Sequence, residues 1–172
     1  MSHLRLDGVF KPLLGPRSTG PGDFTFSDQV QLGLNLMLPL KSPSQMPALM
    51  AILKARMPHV QIALKSLHYV HFARFLPTPD YSTLQVITAY DGVGGEKTNG
   101  FDFRTYAMDF VGVVNEEFTA ILEFVRGAPP LPVEQYPREF IDFVSAHNVL
   151  IQPWSAYPQL TVLDIQTARI RR

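Results

Sequence analysis

Val30-Gln-Leu-Gly-Leu-Asn-Leu-Met-Leu38 is the stretch whose reading decides the fold class. Val30, Leu32, Leu34, Leu36 and Leu38 recur at period two, which lines one face of a β-strand with aliphatic side chains. Gln31, Gly33, Asn35 and Met37 form the other face, which is only partly polar. A helix start follows at once. Ser42 is placed as N-cap, Pro43 stands at the first helical position and Gln45 closes a capping box. Met46, Leu49, Met50, Leu53 and Met57 then recur at spacings of three and four, one apolar stripe on a helix that Pro58 is expected to end.

Downstream, His68-Tyr-Val-His-Phe-Ala-Arg-Phe-Leu76 and Thr83-Leu-Gln-Val-Ile-Thr-Ala-Tyr90 are rich in aromatic and β-branched residues and read as two strands. The Pro77–Ser82 segment between them has hairpin chemistry. A glycine-rich connection, Asp91 to Gly100, leads to a long helix expected over about 102–126, weakened at Gly112 and stopped at Gly127. After the rigid Ala128–Pro132 connector, a helix is expected over about 133–147, with Asn148 as its left-handed end. Gln159-Leu-Thr-Val-Leu-Asp-Ile-Gln166 reads as a last strand.

Strand, helix, two strands, helices and strand is the split βαβ order of a ferredoxin-like α+β domain, with helices on one face of a four-stranded antiparallel sheet. It is expected over residues 28–168, preceded by a Pro- and Gly-rich arm at 1–27 and followed by a basic tail at 169–172. The uncovered sheet face would carry Met37 and an aromatic set from the second strand. An exposed apolar face of that extent points to a homodimer closing sheet against sheet around a two-fold axis.

Composition narrows the function classes. The chain has 172 residues, enough for one core and not for two of ordinary size. Its 15 Lys plus Arg balance 15 Asp plus Glu, which argues against nucleic acid or an anionic membrane as the main partner. With no cysteine there is no disulfide framework, thiolate zinc site or cysteine nucleophile. The first residues form no apolar signal core and no apolar run reaches the length of a membrane span, so the expected location is the cytoplasm.

Leu67-His-Tyr-Val-His-Phe-Ala-Arg-Phe75, the hairpin, Ile87-Thr-Ala-Tyr-Asp-Gly92, and Tyr106 with Asp109-Phe110 together resemble a group of bacterial dimeric α/β-barrel proteins of the ABM-type superfamily. In that group an aromatic strand with a His-Phe-Ala-Arg run precedes a strand ending in an aromatic residue, Asp and Gly. The resemblance implies a ferredoxin-like fold and a dimer. Its wider superfamily includes monooxygenases, haem-handling enzymes, isomerases and proteins without a known role, so it implies no single reaction.

Strict alternation along the second strand puts Tyr69, His71, Ala73 and Phe75 on one face, and His68, Val70, Phe72, Arg74 and Leu76 on the other. His71 is the candidate catalytic or hydrogen-bonding group of a cavity whose ligand-binding residues would be Asn35, Tyr69, His71 and Phe75. The plainer use of His71 is a core histidine bonded to a carbonyl or hydroxyl. A guanidinium at Arg74 needs a partner, and Asp91 or Asp109 would supply it as a structural ion pair between sheet and helix; the other use of Arg74 is to hold an anionic ligand group. His68 and His71 fall on opposite faces and make no metal clip, and no metal site is expected. No cofactor is expected either, with single-histidine haem binding as the alternative. The loop 91–100 fails the phosphate-loop pattern because Glu96 interrupts it. Two readings follow: a dimer binding a small apolar or aromatic molecule beside the sheet, with monooxygenase- or isomerase-like chemistry open, or a non-catalytic dimeric accessory protein.

Overall fold

The computed structural model describes residues 30–92, 101–149 and 155–170, with the side chains of 101–103 and 169–170 excepted. The arm 1–27, most of the glycine-rich loop, Trp154 and the end of the basic tail lie outside the described residues. The elements run β1 (Gln31–Pro39), α1 (Met46–Ser66), β2 (Val70–Pro77), β3 (Thr83–Asp91), α2 (Phe101–Leu122), α3 (Pro137–His147) and α4 (Val162–Ile170), with single 3-10 turns at Pro43–Gln45 and Val133–Gln135.

The three strands form one antiparallel sheet in the order β1-β3-β2. β1 pairs with β3 without a break, from Gln31 opposite Asp91 to Pro39 opposite Thr83. That register aligns the leucines of β1 with Leu84, Val86, Thr88 and Tyr90 on one face. Leu34, Leu36 and Leu38 are buried there, against Leu49 and Leu53 of α1 and Tyr106, Phe110, Phe118 and Ile121 of α2. Burying each such side chain contributes about 1.5–3 kcal/mol, and that contribution selects the face the sheet turns inward. The arrangement is an α+β domain compatible with a ferredoxin-like order.

Ser42 caps the 3-10 turn that leads into α1, its hydroxyl accepting from the Ser44 amide, but the expected capping box does not form. The Gln45 side-chain oxygen is buried without a hydrogen-bond partner among the described residues, and α1 itself starts without a side-chain cap. Pro58 does not stop α1, which continues to Ser66. Pro58 and Lys54 both lie on the exposed side, so the carbonyl that loses its donor is on the wet side of the helix, and Val60 beyond it is buried in the core. α2 ends at Leu122, short of Arg126, because the following residues turn to pair with the end of β1: Val125 bridges Leu40, and the Arg126 amide donates to the Pro39 carbonyl. Gly127 takes the left-handed conformation, φ 69°, that a terminating glycine takes without strain. Within α2 the helical path breaks at Val114 (φ −134°), two residues after Gly112.

Two corrections concern the last third of the chain. Asn148 is extended, not left-handed. Its side-chain oxygen accepts from the Asn35 amide, and it forms an isolated antiparallel bridge with Leu36 on the outer edge of β1. The segment read as a last strand, 159–166, is instead the start of a helix. Thr161 and Asp164 form a reciprocal cap there: the Asp164 amide donates to Thr161 Oγ1 at 3.1 Å, and the Thr161 amide donates to Asp164 Oδ2 at 3.0 Å. These bonds hold the Asp164 carboxyl below the ordinary carboxylate range, the backbone bond from Thr161 first. Thr-x-x-Asp before an apolar run is a helix-start signature. The alternation of Leu160 and Val162 with Gln159 and Thr161 masks it, because that spacing also satisfies a strand.

Among the described residues, no helix is long and apolar enough to cross a membrane. Thr161→Ala removes the cap from α4. The expected result, read by amide hydrogen exchange, is faster exchange at residues 162–166 with the β1–β3 amides unchanged; equal exchange in both proteins would mean the cap does not hold the helix.

Candidate functional site

One end of the sheet collects most of the polar side chains singled out in the sequence. The geometry there is set by an irregularity in β2. Val70 pairs with Tyr90, but Phe72 pairs with the adjacent Ala89, so His71 is an extra residue in a β-bulge. Such a bulge re-aims side chains that strict alternation would place elsewhere. Val70 shares the inner face with Tyr90, whereas Phe72 shares the outer face with Ala89. Tyr69 and His71 are thereby separated, against the single-face expectation, and each reaches a different aspartate.

Tyr69 extends to the N-terminal half of α2, where its hydroxyl donates to Asp109 Oδ2 at 2.5 Å. The phenol is pushed well above its ordinary value, by burial first, then by the bond to Asp109 and that carboxylate's charge. It therefore stays a neutral donor. Its ring meets Tyr106 edge-on at 6.0 Å, and Tyr106 stacks on Tyr90 with centroids 3.8 Å apart. Edge-to-face contacts continue from Tyr106 through Phe110 and Phe118 to Phe140, so the rings at the sheet end are the last members of an aromatic row running through the core. Burial likewise raises the Tyr106 phenol, whose hydroxyl donates to Thr88 Oγ1 at 2.9 Å.

His71 Nε2 lies 2.6 Å from Asp91 Oδ1, both side chains mostly out of water. The second oxygen of Asp91 accepts from the Val162 amide at the first turn of α4, and the Asp91 amide donates to the Tyr69 carbonyl. Asp91 thus joins β2, β3 and α4 in one place. The Val30 amide donates to the Pro158 carbonyl and the Gln31 side chain to the Tyr157 and Leu160 carbonyls, which fixes the approach to α4 over the start of β1.

These contacts correct the expected ion pair. Arg74 is exposed on the outer face, opposite Ile87, and forms no salt bridge with Asp91 or Asp109; the two aspartates are taken by His71 and Tyr69 instead. The physical reason is the pleat: Asp109 lies on a helix packed against the inner face, while Arg74 points the other way. Asn35 is also elsewhere. It stands on β1, the far edge strand, with its side-chain nitrogen donating to the Val149 carbonyl, and it does not line the clefts beside Tyr69 and His71.

Two adjoining clefts open at this end, each of about 270 Å³. One is walled by Tyr69, Tyr90, Tyr106 and Leu163, with Asp91 and Asp109 among its polar lining. The other holds His71 and Phe75 with Val60, Leu64 and Val162. His68 borders both and has a left-handed backbone, φ 56°, which is uncommon for a residue with a Cβ. So the structure brings His71 and Phe75 together, and Tyr69 with Asp91 and Asp109, as two neighbouring groups. Among the described residues, no three His, Cys, Asp or Glu side chains converge as metal ligands would.

One buried charge escaped the sequence reading. Glu117 on α2 is only 3% exposed and lies 2.7 Å from His59 Nδ1 and 3.9 Å from Arg56, both on α1. The signal was the helical spacing that puts Glu117 beside Val114 and Ile121 on the packed face of α2. It has the character of a tie between the two helices, away from the clefts.

Compared with known proteins, the chain matches no family model, no curated protein and no solved structure.

The raised phenols set a pH dependence. Because the folded state keeps Tyr69 and Tyr106 protonated where the unfolded chain ionises, near pH ~10, their contribution to stability is complete below that pH and is lost as pH rises above it. Urea denaturation of Tyr69→Phe at pH 8 and pH 11 should show a smaller alkaline loss than in the wild type. An identical loss in both would mean that Tyr69 ionises as freely folded as unfolded.

Proposed function

We propose that the chain is a small-molecule-binding protein that takes an aromatic ligand in the cleft walled by Tyr69, Tyr90 and Tyr106. The observation that carries this reading is the conjunction, in one cleft, of aromatic walls with the Tyr69–Asp109 pair, a fixed hydrogen-bonding group at the edge of an apolar surface. Concave sites of this kind bind through apolar walls and a few well-placed polar groups. The cleft's volume of about 270 Å³ is just under the range of roughly 300–1,000 Å³ that holds drug-sized molecules, so the ligand is small, on the scale of one ring and a short chain.

His71 enters this reading as a positioning residue. It lines the adjoining cleft and reaches the tyrosine cleft through Asp91, whose orientation it fixes together with the Val162 amide. An imidazole held by a carboxylate is also the arrangement of an oriented general base, with Nδ1 as the nitrogen left to act, which keeps monooxygenase- or isomerase-like chemistry as the enzymatic form of the proposal. NMR titration with a panel of single-ring compounds should shift the amides of Tyr69, Thr105, Asp109 and Thr161 together. Shifts confined to other regions, or none at millimolar ligand, would overturn the assignment.

The ferredoxin-like barrel dimer, the arrangement that the resemblance to ABM-type proteins implies, is the second part of the proposal. Its support is the outer sheet face: Met37, Ile87 and Leu76 are half-buried there, and Phe72 is 46% exposed. A second copy laid on that face would remove this surface from water. Light scattering should give twice the 19.3 kDa chain mass, and Phe72→Lys should return it to the single-chain value. A wild-type mass of one chain at tens of micromolar would sink the dimer.

The non-catalytic interaction reading has its own observation. Tyr157, Leu163 and Ile165, on and just before α4, are 68%, 58% and 49% exposed, an apolar set that a partner protein would cover.

A further inference from the structure

We infer that the tyrosine cleft selects a ligand carrying a protonated amine beside its ring, an arylalkyl ammonium, with Asp109 as its counter-charge. This rests on the aromatic-binding reading above and adds the sign of the ligand's charge.

The argument begins with what faces the cleft. Its charged or titratable lining consists of Asp91, Asp109, His68 and the phenols of Tyr69, Tyr90 and Tyr106; among the described residues no lysine or arginine lines it. Asp91 has both oxygens engaged, Oδ1 by His71 and Oδ2 by the Val162 amide. Asp109 is different. One of its oxygens accepts from the Tyr69 hydroxyl, and among the described residues no cation stands within ion-pair distance of it. A half-buried carboxylate with a single neutral donor lacks the compensation that charges removed from water require. The arginine that the sequence offered as its partner, Arg74, is held on the opposite face of the sheet by the pleat of β2.

The Tyr69 phenol cannot supply that compensation by giving up its proton. Ionisation would place a second negative charge 2.5 Å from Asp109, and the phenol is driven far toward its neutral form. The hydroxyl therefore stays a donor to one carboxylate oxygen, and the other oxygen has no donor among the described residues. An ammonium group completes the pair by donating to the remaining carboxylate oxygen, a charge-assisted bond stronger than a neutral one. The electron-rich faces of the tyrosine rings favour the same charge. A carboxylate or phosphate on the ligand would instead meet Asp109 and Asp91 together, with like charges repelling.

The test compares three probes of one shape on the wild-type protein by calorimetry: 2-phenylethylamine, 2-phenylethanol and phenylacetate. The expected result is that the amine binds at least tenfold tighter than the alcohol, that the acid does not bind, and that the advantage of the amine shrinks as salt is added. Asp109→Asn keeps an oxygen to accept from Tyr69 and removes only the charge. In that variant the amine should lose its advantage and bind no more tightly than the alcohol. If the alcohol or the acid binds the wild type as tightly as the amine, the charge inference falls while the aromatic reading stands. If the amine keeps its advantage in Asp109→Asn, Asp109 is not the counter-charge and the assignment is wrong. If none of the probes binds at millimolar concentration, the aromatic reading falls with it.

Discussion

The structure depends on removing the leucine face of β1 from water. Leu36, Leu38 and Leu40 are at most 1% exposed, and β3 supplies Leu84 and Val86 in the same register, so two adjacent strands present a continuous aliphatic surface. Only helices with complementary stripes can cover it, and α1 and α2 do so with Met46, Leu49 and Leu53 on one side and Phe110, Phe118 and Ile121 on the other. This burial is non-directional, which explains why it overrides local signals. It carries α1 through Pro58 because Val60 still has core to contact, and it tolerates a break at Val114 because Phe110 and Phe118 are buried on either side of it.

The clefts form where that cover runs out. At the end of the sheet bearing Gln31, Tyr69 and Asp91, aliphatic contacts from α1 and α4 stand beside polar groups that the chain satisfies through specific pairs. Asp91 is the junction: its backbone closes onto Tyr69, one oxygen holds His71 and the other holds the first turn of α4. The bond that docks α4 also fixes the His71–Asp91 pair beside the aromatic row. A site at the boundary between a dry core and a hydrogen-bonded rim is a physical consequence of this layout, since the rim keeps polar groups oriented and the core removes the competing water.

Much of this was legible in the sequence. Period-two leucines at 30–38, the Ser42-Pro43 helix start, the aromatic strand and the β-branched strand each carry a local rule that agrees with the tertiary outcome, and so the α+β class, the hairpin and the antiparallel pairing could be read without coordinates. The candidate residues Tyr69, His71, Phe75, Asp91 and Asp109 were also visible as unusual polar or aromatic insertions in apolar runs. Their partners were not. A bulge costs one residue of register and leaves no trace in composition, yet it turns Val70 inward, Phe72 outward and His71 toward Asp91. Pairing Arg74 with Asp91 or Asp109 needed α2 on the face of β2 that Arg74 occupies, and α2 packs on the other.

The last segment shows the boundary most clearly. Gln159–Gln166 satisfies a strand by alternation and a helix by its Thr-x-x-Asp cap, and no local rule ranks the two. The edge of β1 that a fourth strand would use is met by Asn148 and Val149, while Asp91 offers its carboxylate to the Val162 amide. By itself the sequence determined which faces are apolar and therefore which elements form a sheet and which cover it, because periodicity is a property of neighbouring residues. Only the tertiary structure decided which aspartate meets which donor and what α4 becomes, because those contacts join residues far apart in the chain through register and distance.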